Sequence, residues 1–419
     1  MKRIIFLMLI IIFAFCGCSG SVLESINDTT LELYDSVAID ATTTSSSKSE
    51  TILSADETFS ASWLSYLEMF PSECVDDERR YKLYIAQIMD NLVLSGIDNL
   101  FVQVRPFADS IYPSEYFPSS YLITGTQGDE LAFDYLQAII DVADEKEISI
   151  HAWINPYRVL VGSSDTSELS SDNIAVQWIE EESDNVMVLD TGIYFNPAST
   201  EVQELVLNGV RELLENYDLA GIHLDDYFYP STDESIDSTS FEAYEKSGGT
   251  LSLSDFRREN INSLMSALYI TTKSYNEDIL VSVSPSGDIE KNYSEHYCDV
   301  SLWLSSEGYT DMVIPQIYFG FDNETFPYAS CLNEWTSLNT EPDVLLVIGL
   351  ALYKVGSTDE YAGENGIDEW VENDDIIANQ VSLALENGCA GFALYKAVNI
   401  DFENEDIKKE LNNLQSLFE

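Results

Sequence analysis

The sequence predicts an α/β fold of the (β/α)8 barrel type for most of its 419 residues. From residue 57 onward, eight short apolar runs alternate with longer segments of helical period. Polar side chains collect at the carboxyl ends of several runs, which is where barrels of this kind build their sites. The long connections follow the strands, whereas the returns from helix to strand are short, so one rim should carry long loops.

The eight predicted strands are rich in β-branched and aromatic residues. They are residues 59–67, 97–106, 148–158, 219–229, 279–287, 311–320, 344–354 and 389–397. The segments between them, such as EVQELVLNGVRELLENY, repeat apolar residues at helical spacing, and several end in glycine or asparagine. Each strand is thus followed by a helix, as the barrel requires.

Side-chain parity separates the strand face that packs on helices from the face that points into the barrel. In the second strand Val102 and Val104 share one face, so Gln103 and Arg105 are expected to point inward near the barrel mouth. The same parity assigns to the interior the following polar and aromatic residues: His151, Trp153, Asn155, His223, Asp225, Gln316 and Tyr318.

The charge of the chain restricts its partners. Lys and Arg number 19 against 74 Asp and Glu, which gives a net charge of −55. So large an imbalance opposes binding to nucleic acid or to an anionic membrane surface. We therefore expect no nucleic-acid partner and a ligand that is neutral, cationic or recognised by its shape.

The amino-terminal stretch MKRIIFLMLIIIFAFCGCSGS has two basic residues, an apolar run and a small-residue end, which is typical of a secretory signal. Gly17 and Cys18 resemble a bacterial lipobox, so residues 1–18 are expected to be a lipoprotein signal peptide with the lipid on Cys18. A plain signal peptide or an uncleaved anchor helix is the alternative. The Ser/Thr-rich residues 19–56 predict a disordered tether. Residues 57–419 would then be one barrel domain, held to the outside of a bacterial membrane by the lipid anchor.

The sequence calls for no metal and no other cofactor. Four of the six cysteines lie beyond the signal, too sparse for a disulfide framework and without CxxC spacing. The three histidines show no HxxxH spacing, which disfavours a metal-dependent polysaccharide deacetylase.

Two adjacent aspartates end the fourth predicted strand, in GIHLDDYFYP. Asp225 has inward parity above His223, whereas Asp226 points the other way or into the loop. Helix capping explains them poorly, because Pro230 comes shortly after them and no helical period begins until about Asp255. Two carboxylates in a cleft suggest glycoside hydrolysis, which uses one as acid and another as nucleophile or base.

Asp225 is therefore expected to be the principal catalytic carboxylate, and the residue that acts as general acid stays open. Its candidates are Asp226, Asp288, Asp322, Glu324 and Asp109. Aromatic residues in the rim loops suit sugar rings. A catalytically silent carbohydrate-binding surface lipoprotein would present the same cleft and aromatics, so it remains the alternative.

Seven stretches resemble, in order and spacing, the glycosyl hydrolase-like 10 family over about residues 57 to 400. They are VQVRP, HAWINPYR, YFNPASTEVQ, GIHLDDYFYP, VSVSPSG, VIPQIYFG and IGLALYK. The resemblance implies a barrel glycosidase that cleaves peptidoglycan glycan strands lacking stem peptides. The step from His223 to Asp225 is also similar to the Arg-x-Asp step of α-amylase-like barrels, which implies a nucleophilic Asp225.

The catalytic residues are thus expected to be Asp225 and Asp226. Ten side chains are expected to line sugar subsites: Arg105, Trp153, Asn155, Tyr157, Arg158, Asn196, His223, Tyr227, Gln316 and Tyr318.

Overall fold

The structure is a computed structural model that describes residues 58–418. The expected signal peptide, the lipidation site Cys18 and the expected tether lie outside the described residues. The strands of the described part are β1 (Phe59–Leu64), β2 (Asn99–Arg105), β3 (Ser149–Ile154), β4 (Arg158–Val161), β5 (Val186–Leu189), β6 (Gly192–Phe195), β7 (Gly221–Leu224), β8 (Leu280–Val283), β9 (Met312–Val313), β10 (Leu345–Leu350) and β11 (Gly391–Leu394).

Eight of these strands form a closed parallel barrel, in the chain order β1, β2, β3, β7, β8, β9, β10 and β11. β11 pairs with β1 and completes the closure. Each predicted strand corresponds to one barrel strand, so the predicted (β/α)8 fold is confirmed. The register places Trp153 beside His223, and His223 beside Ser282, across three neighbouring strands.

Helices follow the barrel strands and cover the outside of the barrel. The longer ones are Glu78–Leu94, Tyr135–Lys146, Thr200–Asn216, Leu253–Tyr275, Tyr328–Leu338, Ile376–Glu386 and Glu405–Gln415. The shorter ones are Tyr66–Met69, Tyr121–Thr124, Ile174–Glu180, Ser238–Lys246, Ile289–Lys291, Val300–Trp303 and Glu369–Glu372. Asp77, Asp134 and Ser199 accept hydrogen bonds from the first turns of their helices, so side-chain caps set these starting points.

Two apolar cores stabilise the fold. The larger lies between the barrel wall and the helices, and the smaller fills the barrel interior around Trp63, Phe101, Trp153 and Met312. Within residues 58–418 the barrel is therefore packed in its lower layers, which leaves the rim formed by the loops after the strands as the place for a ligand.

The connection after β3 contains a sheet that the sequence pattern did not predict. Strands β4, β6 and β5 pair in that order, and both pairings are antiparallel. Each strand has four residues, which is too short for a clear alternation. Gly192 closes the turn with φ 151°, and a Cβ there would lie 2.2 Å from the carbonyl oxygen of Leu160.

A β-bulge in β2 overturns the predicted direction of one site residue. The pairing of β2 with β3 shifts between Gln103 and Arg105, and such a bulge re-aims the side chains that come after it. The Arg105 guanidinium lies 4.2 Å from the ring centre of Phe117, and a Cβ on Gly209 would lie 2.2 Å from its Nη1 atom. Arg105 therefore packs outside the barrel against helix Thr200–Asn216, and its predicted inward position was wrong.

The four cysteines of the described residues are buried free thiols. Among the described residues, no helix combines the length and the apolar character that crossing a membrane requires.

Candidate active site

Asp225 lies at the carboxyl end of β7, where three N–H groups converge on it. Its Oδ2 accepts hydrogen bonds from Trp153 Nε1 at 3.1 Å and from Asn155 Nδ2 at 2.6 Å. Its Oδ1 accepts from the backbone N–H of Tyr227 at 3.1 Å. Since an ionised carboxylate only accepts hydrogen bonds, this set of donors favours the charged form of Asp225.

A second amide holds Asn155 in the orientation that Asp225 needs. Gln103 Nε2 donates to Asn155 Oδ1 at 2.7 Å, and Gln103 Oε1 accepts from the backbone N–H of Tyr66 at 3.2 Å. The chain of bonds fixes the Asn155 amide with its NH2 group toward Asp225. Parity placed Gln103 inside the barrel, but the predicted site omitted it. Its inward parity within β2 was the signal available in the sequence.

Asp226 is the next residue after Asp225 but has weak partners. Gln316 Nε2 lies 3.4 Å from its Oδ1, and His296 Nδ1 lies 3.6 Å from its Oδ2. Its side chain is 14% exposed, whereas Asp225 is 3% exposed. Asp226 is thus the carboxyl group of the pair that retains a free edge toward the cleft.

Burial raises the proton affinity of both carboxyl groups. The pKa of Asp225 is raised from 3.8 to about 6 by burial and by the charge of Asp226, against the opposing effect of Arg158. Burial likewise raises the pKa of Asp226 to about 6, while Lys291 and Gln316 act in the opposite direction. Near pH 6 the pair therefore carries about one proton on average, and the donor set of Asp225 favours placing that proton on Asp226.

His296 is a neighbour of Asp226 that the sequence pattern did not single out. It lies in a short π-helical turn, Asn292–His296, after β8. Burial, with a contribution from Lys291, lowers its pKa to about 4, so the imidazole is neutral at pH 7. Its Nδ1 atom is buried and has no hydrogen-bond partner among the described residues.

Arg158 begins β4 and faces the same cleft. Its guanidinium lies 5.0 Å from the ring centre of Phe107 and 4.9 Å from that of Tyr227. Tyr227 is 57% exposed, so this pair of rings leads from the barrel wall to the open rim. The structure thus places Arg158 and Tyr227 near the aspartate pair, and their role in sugar subsites stays a prediction.

His223 lies one layer below and is fully buried. Its Nε2 accepts the indole N–H of Trp63 at 3.1 Å, so Nδ1 carries the hydrogen, 2.8 Å from Ser282 Oγ. The Phe101 ring centre is 4.2 Å away. His223 is therefore a packed barrel-layer residue, and the prediction that it lines a sugar subsite was wrong.

Two other predicted subsite residues lie away from the cleft. Tyr157 is fully buried in the outer core, where its ring packs edge-on against Phe228. Asn196 donates to the carbonyl oxygen of Asp184 and to Ser240 Oγ, so it ties two rim loops together. Both side chains are structural in this arrangement, because buried loop segments require such partners.

Aromatic residues from three strand ends form one wall of the cleft, which we call the tyrosine wall. Tyr318, after β9, stacks on Tyr395, after β11, with ring centres 5.7 Å apart. Tyr353, after β10, packs edge-on against both and is 39% exposed. Tyr318 was predicted from its parity. Tyr353 and Tyr395 were not, because they are separated from it by long stretches of chain.

Three of the other acid candidates have side-chain partners elsewhere, and for Asp322 the partner is bound by its backbone. Asp109 is fully buried and accepts from Gln127, and Asp288 caps the helical turn Ile289–Lys291. Glu324 accepts from Asn365, and the backbone of Asp322 is held by Glu369. None of the four contacts Asp225 or Asp226 in the described structure, so Asp226 is the candidate acid that the geometry favours.

A group of three acidic side chains with metal-ligand spacing occurs among the described residues, namely Glu307, Glu341 and Asp343. It precedes β9 and β10 and therefore lies at the end of the barrel opposite the aspartate pair.

A carboxylate pair at the carboxyl rim of a closed (β/α)8 barrel, beside an aromatic wall, is typical of glycoside hydrolases. Residues 59–364 match the family model Glycosyl hydrolase-like 10, and the chain belongs to that family.

Two curated relatives are themselves named glycosyl hydrolases. YngK of Bacillus subtilis (strain 168) is 29% identical over 306 residues, which cover 69% of this chain and 59% of YngK. DigH of Escherichia coli (strain K12) is 32% identical over 295 residues, which cover 64% of this chain and 65% of DigH. The chain thus spans about three fifths of the length of these relatives.

Solved structures share the barrel at low sequence identity. The glycoside hydrolase domain of PgaB (BpsB) from Bordetella bronchiseptica has a TM-score of 0.57 at 11% identity, covering 85% of this chain and 99% of that domain. The catalytic domain of β-amylase from Paenibacillus polymyxa has a TM-score of 0.54 at 10% identity, covering 86% and 99%. These similarities concern the fold alone.

Proposed function

We propose that this protein is a glycoside hydrolase that cleaves bacterial cell-wall glycan, namely peptidoglycan strands that lack stem peptides. Asp226 acts as the general acid, and Asp225 is the carboxylate that attacks or stabilises the anomeric centre. The observation that carries the proposal is the unequal bonding of two adjacent carboxyl groups at the barrel mouth. Asp225 accepts three N–H donors, and Asp226 accepts only long contacts.

This inequality suits the charges of glycoside cleavage. The transition state resembles an oxocarbenium ion, so one carboxylate must be negative beside the ring and another group must protonate the leaving oxygen. Asp225 meets the first need because its donors stabilise negative charge. Asp226 meets the second, because its free edge faces the cleft and its pKa of about 6 keeps a proton available.

The tyrosine wall and Tyr227 supply the surface on which sugar rings would stack. Sugar rings present apolar C–H faces to aromatic side chains, and an exposed Tyr353 beside the stacked Tyr318 and Tyr395 offers such a surface. The preference for peptide-free strands comes from the family resemblance, and the expected lipid on Cys18 would hold the enzyme close to the wall.

The test is incubation of the purified full-length protein with peptide-stripped and with intact peptidoglycan, followed by mass spectrometry of the released fragments. We expect glycan fragments of defined length from the stripped polymer with wild-type protein, and none with Asp225→Asn or Asp226→Asn. Binding to the polymer should survive in both variants. If wild-type protein binds the glycan and releases nothing from it, the protein is a carbohydrate-binding lipoprotein and the proposal fails.

A further inference from the structure

We propose that Arg158 is a specificity-determining residue that binds a carboxylate group carried by the glycan, close to the bond that is cleaved. This inference rests on the proposed function and adds the chemical feature by which the substrate is chosen. In a peptide-free strand that feature is the free carboxylate of the lactyl ether on muramic acid.

The first support is that the hydrogen-bonding groups of Arg158 are unused. Within the described residues, its guanidinium makes no ion pair and donates no hydrogen bond, although the residue is half-buried. Its nitrogen atoms are not among the buried polar atoms of the described residues that lack a partner, so they are open to solvent and to a ligand in the cleft. A ligand that supplies two oxygen acceptors would take the place of water at these N–H groups.

The second support is the geometry of the two flanking rings. Phe107 and Tyr227 lie 5.0 and 4.9 Å from the guanidinium carbon and contact it through their ring faces. Such contacts restrain the flat guanidinium but leave the N–H groups at its edge without partners. An edge of this kind binds a carboxylate through two parallel hydrogen bonds.

The third support is the contrast with other cations on the same rim. Lys354 is bonded to Asp359 and to the carbonyl oxygen of Tyr318, and Lys396 pairs with Glu68. Arg158 has no such partner among the described residues, although acidic residues outnumber basic ones by 74 to 19 in this chain. In so acidic a protein a cation that is still available favours an anionic substituent beside it.

The chemistry of the strand then explains a preference for peptide-free glycan. Where a stem peptide is attached, the lactyl carbonyl belongs to a neutral amide. Where the peptide has been removed, the same group is a carboxylate that carries a full negative charge. Arg158 would bind the second form more tightly, because hydrogen bonds to charged groups are the stronger ones.

The experiment measures how the full-length protein cleaves two forms of one polymer. Peptide-stripped strands are used as such, or after carbodiimide coupling of their carboxylates to methylamine, which converts each carboxylate into a neutral amide like the one that a stem peptide forms. The readout is the ratio of kcat/KM for the carboxylate strand to that for the methylamide strand. We expect a ratio of about 10 to 100 for wild-type protein, the usual range for a charged hydrogen bond. We expect a ratio near 1 for Arg158→Gln, mainly through KM, and an intermediate ratio for Arg158→Lys.

Lys291→Gln is the matched control, since Lys291 is another cation whose charge acts on Asp226. Its loss should preserve the ratio. The inference is overturned if wild-type protein cleaves both strands equally, or if Arg158→Gln lowers both rates by one factor. In the second case Arg158 affects catalysis only through its electrostatic effect on Asp225 and Asp226, and not by binding the carboxylate of the glycan.

Two further measurements distinguish a different carboxylate ligand from a failure of the proposed function. Oligogalacturonate carries its carboxylate on the sugar ring itself. If wild-type protein prefers oligogalacturonate to the peptide-stripped strand and Arg158→Gln abolishes that preference, the group bound by Arg158 is a uronic acid and not the lactyl ether carboxylate. If wild-type protein cleaves no strand, the proposed function fails, and equilibrium binding of the two strands decides this inference alone. A binding preference for the carboxylate form that Arg158→Gln abolishes would still support it, and equal binding would overturn it.

Discussion

Replacing Asp226 by asparagine removes a carboxyl group whose ionised form is disfavoured in the folded protein. The folded state raises its pKa from 3.8 to about 6, chiefly by burial. A raised carboxyl pKa means that the folded state favours the protonated form of Asp226. The contribution of this group to the stability of the fold is therefore complete below pH 3.8 and is lost as the pH rises through 6. Above pH 6 the ionised Asp226 therefore destabilises the fold, and a neutral asparagine should not.

The size of the effect can be worked out from the two pKa values. They differ by about 2.2, and at 1.36 kcal/mol per pH unit this corresponds to about 3 kcal/mol. The contacts that asparagine would weaken are long, at 3.4 Å to Gln316 and 3.6 Å to His296, so they offset little of the gain. At about 2.1 cal/mol/K per residue, 3 kcal/mol corresponds to a rise in Tm of roughly 4 °C.

The measurement is thermal unfolding of wild-type protein and Asp226→Asn at several pH values between 4 and 8, monitored by circular dichroism. Asp226→Asn should unfold at a higher temperature at pH 8 and at the same temperature at pH 4, while it loses hydrolytic activity. Asp278→Asn, in an exposed loop, removes the same charge and serves as the control. A lower Tm for Asp226→Asn at pH 8, or an equal rise at both pH values, would refute the argument.

Three further predictions concern the supports of the site. Gln103→Leu leaves the buried Asn155 Oδ1 without its hydrogen-bond donor. This change should lower kcat roughly tenfold and shift Tm by no more than a few degrees. An unchanged kcat would exclude this bond from catalysis. Gly209→Ala places a methyl group 2.2 Å from Arg105 Nη1 and should cost about 1–3 kcal/mol of stability in denaturant unfolding, with kcat retained in the folded fraction. Tyr353→Ala should raise KM for glycan several-fold with little change in kcat, and an equal loss in both would show that the tyrosine wall acts on the bond being cleaved.

The barrel and its carboxylate pair could be predicted because they depend on local patterns. Strand parity is a property of two or three neighbouring residues, and it placed Trp153, Asn155, Asp225 and Gln316 correctly. It failed at Arg105, because one extra residue in β2 reverses the direction of the side chains beyond the bulge. Nothing in the letters FVQVR distinguishes a bulged strand from a regular one.

Other parts of the site depend on contacts between distant segments. The tyrosine wall joins the ends of β9, β10 and β11, and His296 reaches Asp226 from the connection after β8. Tyr157 belongs to a motif that suggested a subsite, but the sheet formed by β4, β6 and β5 directs the chain so that its ring enters the core. Such arrangements cannot be predicted from the sequence, because they depend on how the paired strands and the loops are placed in three dimensions.

The difference between the two aspartates arises from the point at which β7 ends. On a continuous strand, adjacent side chains point to opposite faces, and two neighbouring carboxylates could not share one site. β7 stops at Leu224, so the Asp225 side chain still meets the barrel interior beside Trp153 and Asn155 of the β3 segment. The chain then turns, with the Phe228 N–H bonded to the carbonyl oxygen of Asp226 at 3.1 Å. The Asp226 carboxyl group thereby comes to face Gln316 and His296. One change of backbone direction thus gives two identical side chains different surroundings, so an acid and its partner carboxylate can both come from a single strand end.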